Sequence, residues 1–147
     1  MWEPRRWTPL FFWDEAVALA AGHRPCALCR HRDYVAWQDA WAAATGERLG
    51  ADAMDRRLHA DRLDGRAQRT HTRPWRGLPT GTFVALDGPA LVAGDRVVPW
   101  SPTADGYGPS SSRPTRGDAT VLTPSVTVDV LAAGYAPVLH PSAPLRT

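Results

Sequence analysis

The 147-residue chain contains no lysine, and all 17 of its basic residues are arginine. Beside abundant Ala, Gly and Pro, that absence points to a GC-rich genome, so codon bias accounts for part of the arginine count. Cysteine is nearly absent as well: Cys26 and Cys29 are the only two. The disulfide-dense architecture of small secreted domains is therefore excluded. A chain of this length, 44% hydrophobic, buries roughly two-thirds of its unfolded surface and needs no disulfide to fold. No apolar run approaches the ~20 residues of a membrane span; stretches such as Ala16 to Ala21 are far shorter. The first residues lack a basic and apolar leader ending in small residues, so no secretion signal is expected. Seven Trp and a charged fraction of 22% exclude a disordered tail. The expectation is a soluble cytoplasmic protein.

What is present is an uneven charge. The chain carries +2 overall, yet Arg56 to Arg76 holds seven Arg (56, 57, 62, 66, 69, 73 and 76) against Asp61 and Asp64, a local +5. Such asymmetry marks either a face that meets phosphates or a well-solvated helix end and loop.

Residues 1–65 read as helical. Thr8-Pro9 has the form of a helix cap with Pro at the first helical position. Equally, and preferred for four large apolar residues in a row, Leu10 to Trp13 suit a short buried strand, with Asp14 capping a helix from Glu15 to Ala21 that Gly22 ends. The adjacent acids Asp14 and Glu15 at that helix start favour its dipole rather than forming a catalytic pair. A second helix spans about Asp33 to Thr45, with Tyr34, Trp37, Trp41 and Ala44 on one face and Gly46 as its stop. A third spans about Ala51 to Leu63, with Met54 and Leu58 inward. Residues 66–80 form a basic connector without periodicity. From 81 to 147 the pattern is β: Thr82 to Leu86, Ala90 to Val92 and Arg96 to Trp100, separated by Asp87-Gly88 and Gly94-Asp95 turns, make a small antiparallel meander. Gly106 to Gly117 is a Pro/Ser/Gly-rich loop, expected to be mobile. Thr120 to Leu122 adds a strand, Thr123-Pro124 opens a short C-terminal helix that Gly134 closes, and Pro137 to Leu139 returns to the sheet. Helices in front and strands behind give an α+β domain.

The cysteines form one Cys-x-x-Cys within His23-Arg24-Pro25-Cys26-Ala27-Leu28-Cys29-Arg30. Two thiolates at that spacing turn to one point and can hold zinc, which wants two further ligands. His23, His31, His59, His71 and His140 are available, and neutral imidazole suits the metal. Two other readings stay open: a redox couple, which normally follows a strand directly at a helix N-terminus, and a pair of inert buried thiols.

The stretch Phe11-Phe12-Trp13-Asp14-Glu15 through Ala21-Gly22-His23-Arg24-Pro25-Cys26-Ala27-Leu28-Cys29 resembles the second half of the Ada-type zinc-binding domain. That family shows a Phe-Phe, an Ala-rich helix and then Arg-Pro-Cys-x-x-Cys. The resemblance covers about twenty residues and implies that Cys26 and Cys29 match the family's second zinc pair. The family's first pair, one member of which accepts a methyl group, lies upstream. This sequence starts too close to the motif to carry it, so methyl transfer is not expected. Leu58-His59-Ala60-Asp61-Arg62-Leu63, Arg69-Thr70-His71 and Leu122-Thr123-Pro124 resemble the pattern of an uncharacterised family of high-GC bacteria.

Three functional readings follow. In the first, the protein is a non-enzymatic zinc module: Cys26, Cys29, His59 and His71 hold the metal, and Arg56, Arg57, Arg66, Arg69, Arg73 and Arg76 meet phosphates of DNA or another nucleic acid. Trp75, between Arg73 and Arg76, either stacks on a base or anchors its loop to the core. In the second, the same metal with an open coordination position, beside His59, Asp61 and Arg62, hydrolyses a phosphodiester. In the third, zinc only staples a partner-binding domain.

Overall fold

In the structure, a computed structural model, residues 15–25, 31–64, 67–101 and 106–139 are described, without the side chains of 62–68, 101 and 106. Thr8-Pro9 and the expected strand at Leu10 to Trp13 lie outside the described residues.

Helix α1 (Glu15–Ala20) ends where Gly22 takes φ 93°. The His23 and Gly22 N–H groups donate back to Ala18 O and Leu19 O at 3.0 Å each, closing the Schellman arrangement that only an achiral residue enters without strain. Helix α2 (His31–Thr45) starts two residues before the expected Asp33, which sits in its first turn. Gly46 stops it at φ 84°. Helix α3 (Ala51–Arg62) presents Met54 and Leu58 inward, 0% and 2% exposed. These side chains meet Trp37 and Trp41 of α2, Leu19 of α1, and Val126, Val130 and Leu131 of the C-terminal helix α4 (Ser125–Ala132). The last helix therefore shares one core with the front three, which joins the helical and β-rich parts of the chain.

The strands are β1 (Leu63–Asp64), β2 (Ala67–Gln68), β3 (His71–Pro74), β4 (Phe83–Ala85), β5 (Pro89–Ala93), β6 (Arg96–Ser101), β7 (Gly106–Tyr107), β8 (Ser111–Ser112) and β9 (Asp118–Val121). The first two form a minimal hairpin. The others form one antiparallel sheet, ordered β3-β9-β4-β5-β6-β7, with β8 also on β6. The meander β4-β5-β6 follows the sequence expectation. Both its faces are covered: Val84, Val92 and Val97 pack with Val128 of α4 on one side, and Phe83, Leu91 and Val98 with Ala16 and Val17 of α1 on the other. That is why β5 reads as an unbroken apolar run rather than an alternation.

Three expectations change. The 66–80 connector contains β1's partner β2 and the edge strand β3, which pairs with β9 from His71↔Val121 to Pro74↔Asp118. The strand gives no apolar signal because its half-buried residues are His71 and Arg73, and an edge tolerates Pro74, which lacks an N–H, because among the described residues no outer strand calls for a donor there. The 106–117 stretch is not an open loop: β7 and β8 pair with β6 at Trp100↔Tyr107 and Val97↔Ser111. Residues Pro137 to Leu139 do not rejoin the sheet. They are held by Glu15, whose backbone N–H donates to Val138 O at 3.0 Å and whose Oε1 accepts from Val138 N at 2.9 Å. Glu15 is only 9% exposed, and its Oε2 accepts the Tyr135 hydroxyl at 2.5 Å.

Candidate functional site

Cys26, Cys29 and the rest of 26–30 lie outside the described residues, and the segment that leads into them is well tied down. The Schellman turn at Gly22 delivers His23, Arg24 and Pro25 onto the helical layer. Arg24 then clamps the chain there. Its Nε and Nη2 donate to Asp55 Oδ1 at 2.8 Å and Oδ2 at 3.1 Å, a two-pronged grip on α3. Its Nη1 donates to Pro25 O at 2.8 Å, and its guanidinium lies 5.5 Å from the centroid of Tyr34 on α2. The carbonyl before Cys26 is thus fixed between two helices, and α2 begins at His31, two residues past Cys29. On α3, His59 lies four residues beyond Asp55, and residues i and i+4 share a helix face. His59 is exposed.

A second cluster gathers at the N-terminus of α4. Pro124 is the N-cap and offers no side-chain acceptor. Asp61, 65 residues earlier, supplies one: its Oδ2 accepts from Val126 N–H at 2.9 Å, while its Oδ1 takes Arg57 Nε at 3.2 Å. His71 Nε2 lies 2.9 Å from Thr123 O. A carbonyl can only accept, so Nε2 carries the hydrogen. Arg73 Nη2 donates to Ser125 O at 3.1 Å and to Ser125 Oγ at 3.0 Å, and its Nη1 pairs with Asp129 at 3.0 Å. The sequence segments 58–63, 69–71 and 122–124 therefore converge on one corner.

The two corners separate the expected histidine ligands. Asp61 faces α4, and His59 is two residues earlier, about 200° round the same helix, so it is turned from the corner where His71 binds Thr123. Among the described residues, no three His, Cys, Asp or Glu side chains come together as a metal-holding group. Asp61, the acid closest to a hydrolase reading, is committed to a helix cap and an ion pair.

The arginine segment also divides. Arg56 and Arg57 are exposed on α3, the latter paired with Asp61. Arg69 is exposed before β3, Arg66 lies outside the described residues, and Arg73 is held by α4. Trp75 is 5% exposed and packs with Leu78, Val84 and Val121. Of its two sequence readings, the core anchor describes its environment, and a ring so enclosed offers no face for a base. Arg76 is exposed in the turn after β3. It lines a solvent-open cleft of about 650 Å³ with Gly77, Gly94, Asp95, Arg113, Pro114, Thr115 and Arg116. Arg113 and Arg116 were missed by sequence reasoning because their stretch has the composition of a mobile loop; their closeness to Arg76 comes from the β3–β9 pairing and from the Arg113 hydrogen bond to Trp75 O. Glu15 was read as a dipole partner, and its burial gives no local signal.

No known family model matches the chain, and no curated protein or solved structure does so either. No helix among the described residues is long and apolar enough to cross a membrane.

Proposed function

We propose that the protein is a non-enzymatic zinc-binding module in which Cys26, Cys29 and His59 hold the metal, with His23 or His31, which bracket the cysteine pair in sequence, for the fourth position. The observation that carries this reading is the two-pronged Arg24–Asp55 clamp. It fixes the residue before Cys26 against α3 on the face that bears His59. Two thiolates and two imidazoles form a closed tetrahedral donor set of the structural kind. Bound there, zinc supplies a cross-link between the 23–31 turn and α3. The Ada-like stretch around Cys26 and Cys29 agrees with this role. A hydrolytic role gains no support, because Asp61 is already engaged at the cap of α4.

The test is elemental analysis of protein purified without a metal-affinity tag, with thiols counted before and after denaturation. The expected result is about one zinc per chain, both thiols reduced and protected, and loss of the metal in Cys26→Ser and His59→Ala but not in His71→Ala. Zinc-free protein with two reactive thiols overturns the proposal, and loss in His71→Ala but not His59→Ala overturns the ligand set. Chelation is expected to loosen the helical layer, because binding energy of a structural metal is folding energy.

Contact with nucleic acid is the second part of the reading. It rests on the exposed Arg56 and Arg57 of α3 together with Arg69 and Arg76. Binding through these residues weakens steeply with salt, since phosphate contacts release counterions. Salt-independent affinity, or none, removes this part and leaves the metal reading standing.

A further inference from the structure

We infer that the cleft between three turns of the sheet is a phosphate-ester site, formed by Arg76, Arg113 and Arg116 with Asp95. Three turns build it. One follows β3 and carries Arg76 and Gly77, one joins β5 to β6 through Gly94 and Asp95, and one precedes β9 and carries Arg113 to Arg116. The 113–117 segment bridges the other two: it leaves β8, whose Ser112 pairs with Arg96 at the start of β6, and enters β9, whose Asp118 faces Pro74 at the end of β3. Arg113 locks them together. Its Nη1 donates to Gly94 O at 2.9 Å, its Nη2 to Trp75 O, and its backbone N–H to Asp95 O at 2.9 Å.

The charges are unbalanced in a way the fold does not require. Four ionisable side chains line the cleft, three guanidiniums against one carboxylate. Among the described residues, none of Arg76, Arg113 and Arg116 has an ion-pair partner. Arg113 is half-buried, and that burial pushes its guanidinium down from its ordinary value. It keeps its charge over the working pH range, as arginine does, and so sits partly desolvated without a counterion. The cleft has room beside its backbone: a Cβ at Gly77 or Gly94 would meet nothing within 4 Å. Its volume falls within the range of small-molecule sites, about 300–1,000 Å³.

Guanidinium groups reaching in from separate turns suit a tetrahedral phosphate, whose oxygens accept from several directions. Asp95 disfavours a bare polyanion and favours an ester with a hydroxyl beside its phosphate. Such an ester is either a free sugar phosphate or a unit of a nucleic-acid backbone. The inference stands whether or not the metal reading does.

Calorimetry with ribose 5-phosphate, with ribose as the uncharged control, and with a single-stranded 12-mer oligodeoxynucleotide tests it. The Arg76→Gln/Arg116→Gln double variant removes two exposed guanidiniums that make no hydrogen bond or ion pair among the described residues, so its melting temperature should match the parent. Arg113 is left in place because it ties the turns. Ribose 5-phosphate binding that falls roughly tenfold or more in the double variant, with no heat from ribose, supports a free phosphate ester. Oligonucleotide binding that falls likewise, without ribose 5-phosphate affinity, assigns the phosphate to a nucleic-acid backbone. Absence of both, or affinity unchanged in the double variant, overturns the site. An Arg56→Gln/Arg57→Gln variant separates this cleft from the α3 contact: it lowers oligonucleotide affinity through α3 while leaving ribose 5-phosphate binding unchanged.

Discussion

Replacing Asp61 tests the cross-chain cap on α4 most directly. The helix starts after a proline N-cap with no side-chain acceptor of its own, so the carboxylate of Asp61, 2.9 Å from Val126 N–H, is its cap. Losing such an acceptor costs about 1 kcal/mol. Losing a negative charge at a helix N-terminus costs about 0.5 kcal/mol more. The i,i+4 pair with Arg57, whose side chain is 50% exposed, adds about 0.4 kcal/mol at most. Asp61→Ala is therefore expected to destabilise by about 2 kcal/mol. With an unfolding entropy of about 2.1 cal/mol/K per residue, that lowers Tm by about 6 °C for a chain of this length. Asp61→Asn keeps the carbonyl acceptor and loses only the charge, so it should cost about half as much. Urea unfolding of both variants, with Arg57→Ala and the Asp61→Ala/Arg57→Ala double variant, measures each part. The charge contribution should shrink in high salt, whereas the Asn-to-Ala difference should persist. A cost for Asp61→Ala below about 0.5 kcal/mol would refute the cap. So would equal costs for Asn and Ala.

The remaining predictions concern three other contacts. Tyr135→Phe removes a donor from the buried Glu15 carboxylate and should cost about 1.5–3 kcal/mol in urea unfolding; a neutral result would mean that this carboxylate does not hold the C-terminal segment. Gly81 has φ +105°, and a Cβ there would lie 2.8 Å from Pro137 Cγ. Gly81→Ala should therefore cost about 1–3 kcal/mol, and Pro137→Ala in the same chain should recover part of it; simple additivity of the two would show that they do not touch. Trp75→Ala, emptying a site only 5% exposed, should cost about 3–5 kcal/mol, and a loss under 1 kcal/mol would place the ring at the surface.

Much of the fold was legible because its signals are local. Gly22, Gly46 and Gly134 end helices at positive φ, as their place after apolar-periodic segments implied. Pro124 starts α4, and the short Asp87-Gly88 and Gly94-Asp95 turns delimit a meander whose strands are neighbours in sequence. Such choices are made within a few residues by backbone sterics and by the repeat of apolar side chains, and one sequence read along its length contains both.

The rest depends on partners that are remote in sequence. Residues 71–74 are polar and end in proline, so they have no strand signal of their own; they become β3 because β9, more than forty residues later, offers them its edge. The serines at 111 and 112 pair with β6 for the same reason. Asp61 becomes a cap only when α3 packs beside α4, and Glu15 becomes a buried carboxylate only when Tyr135 returns to it. At the candidate sites, the residue types were evident from the sequence: paired cysteines, five histidines and a run of arginines. Their grouping was not. The sequence spacing of His59 and His71 looked like a ligand pair, but helix phase turns them to different sides. Arg76 belonged to a basic run on paper, and sheet registration sets it instead with Arg113 and Arg116. Local composition determines which elements form and which chemistry the chain carries. Only the long-range pairing of strands and the packing of α4 decide which of those side chains meet, because that proximity is bought by loop closures and core burial that leave no local trace in the sequence.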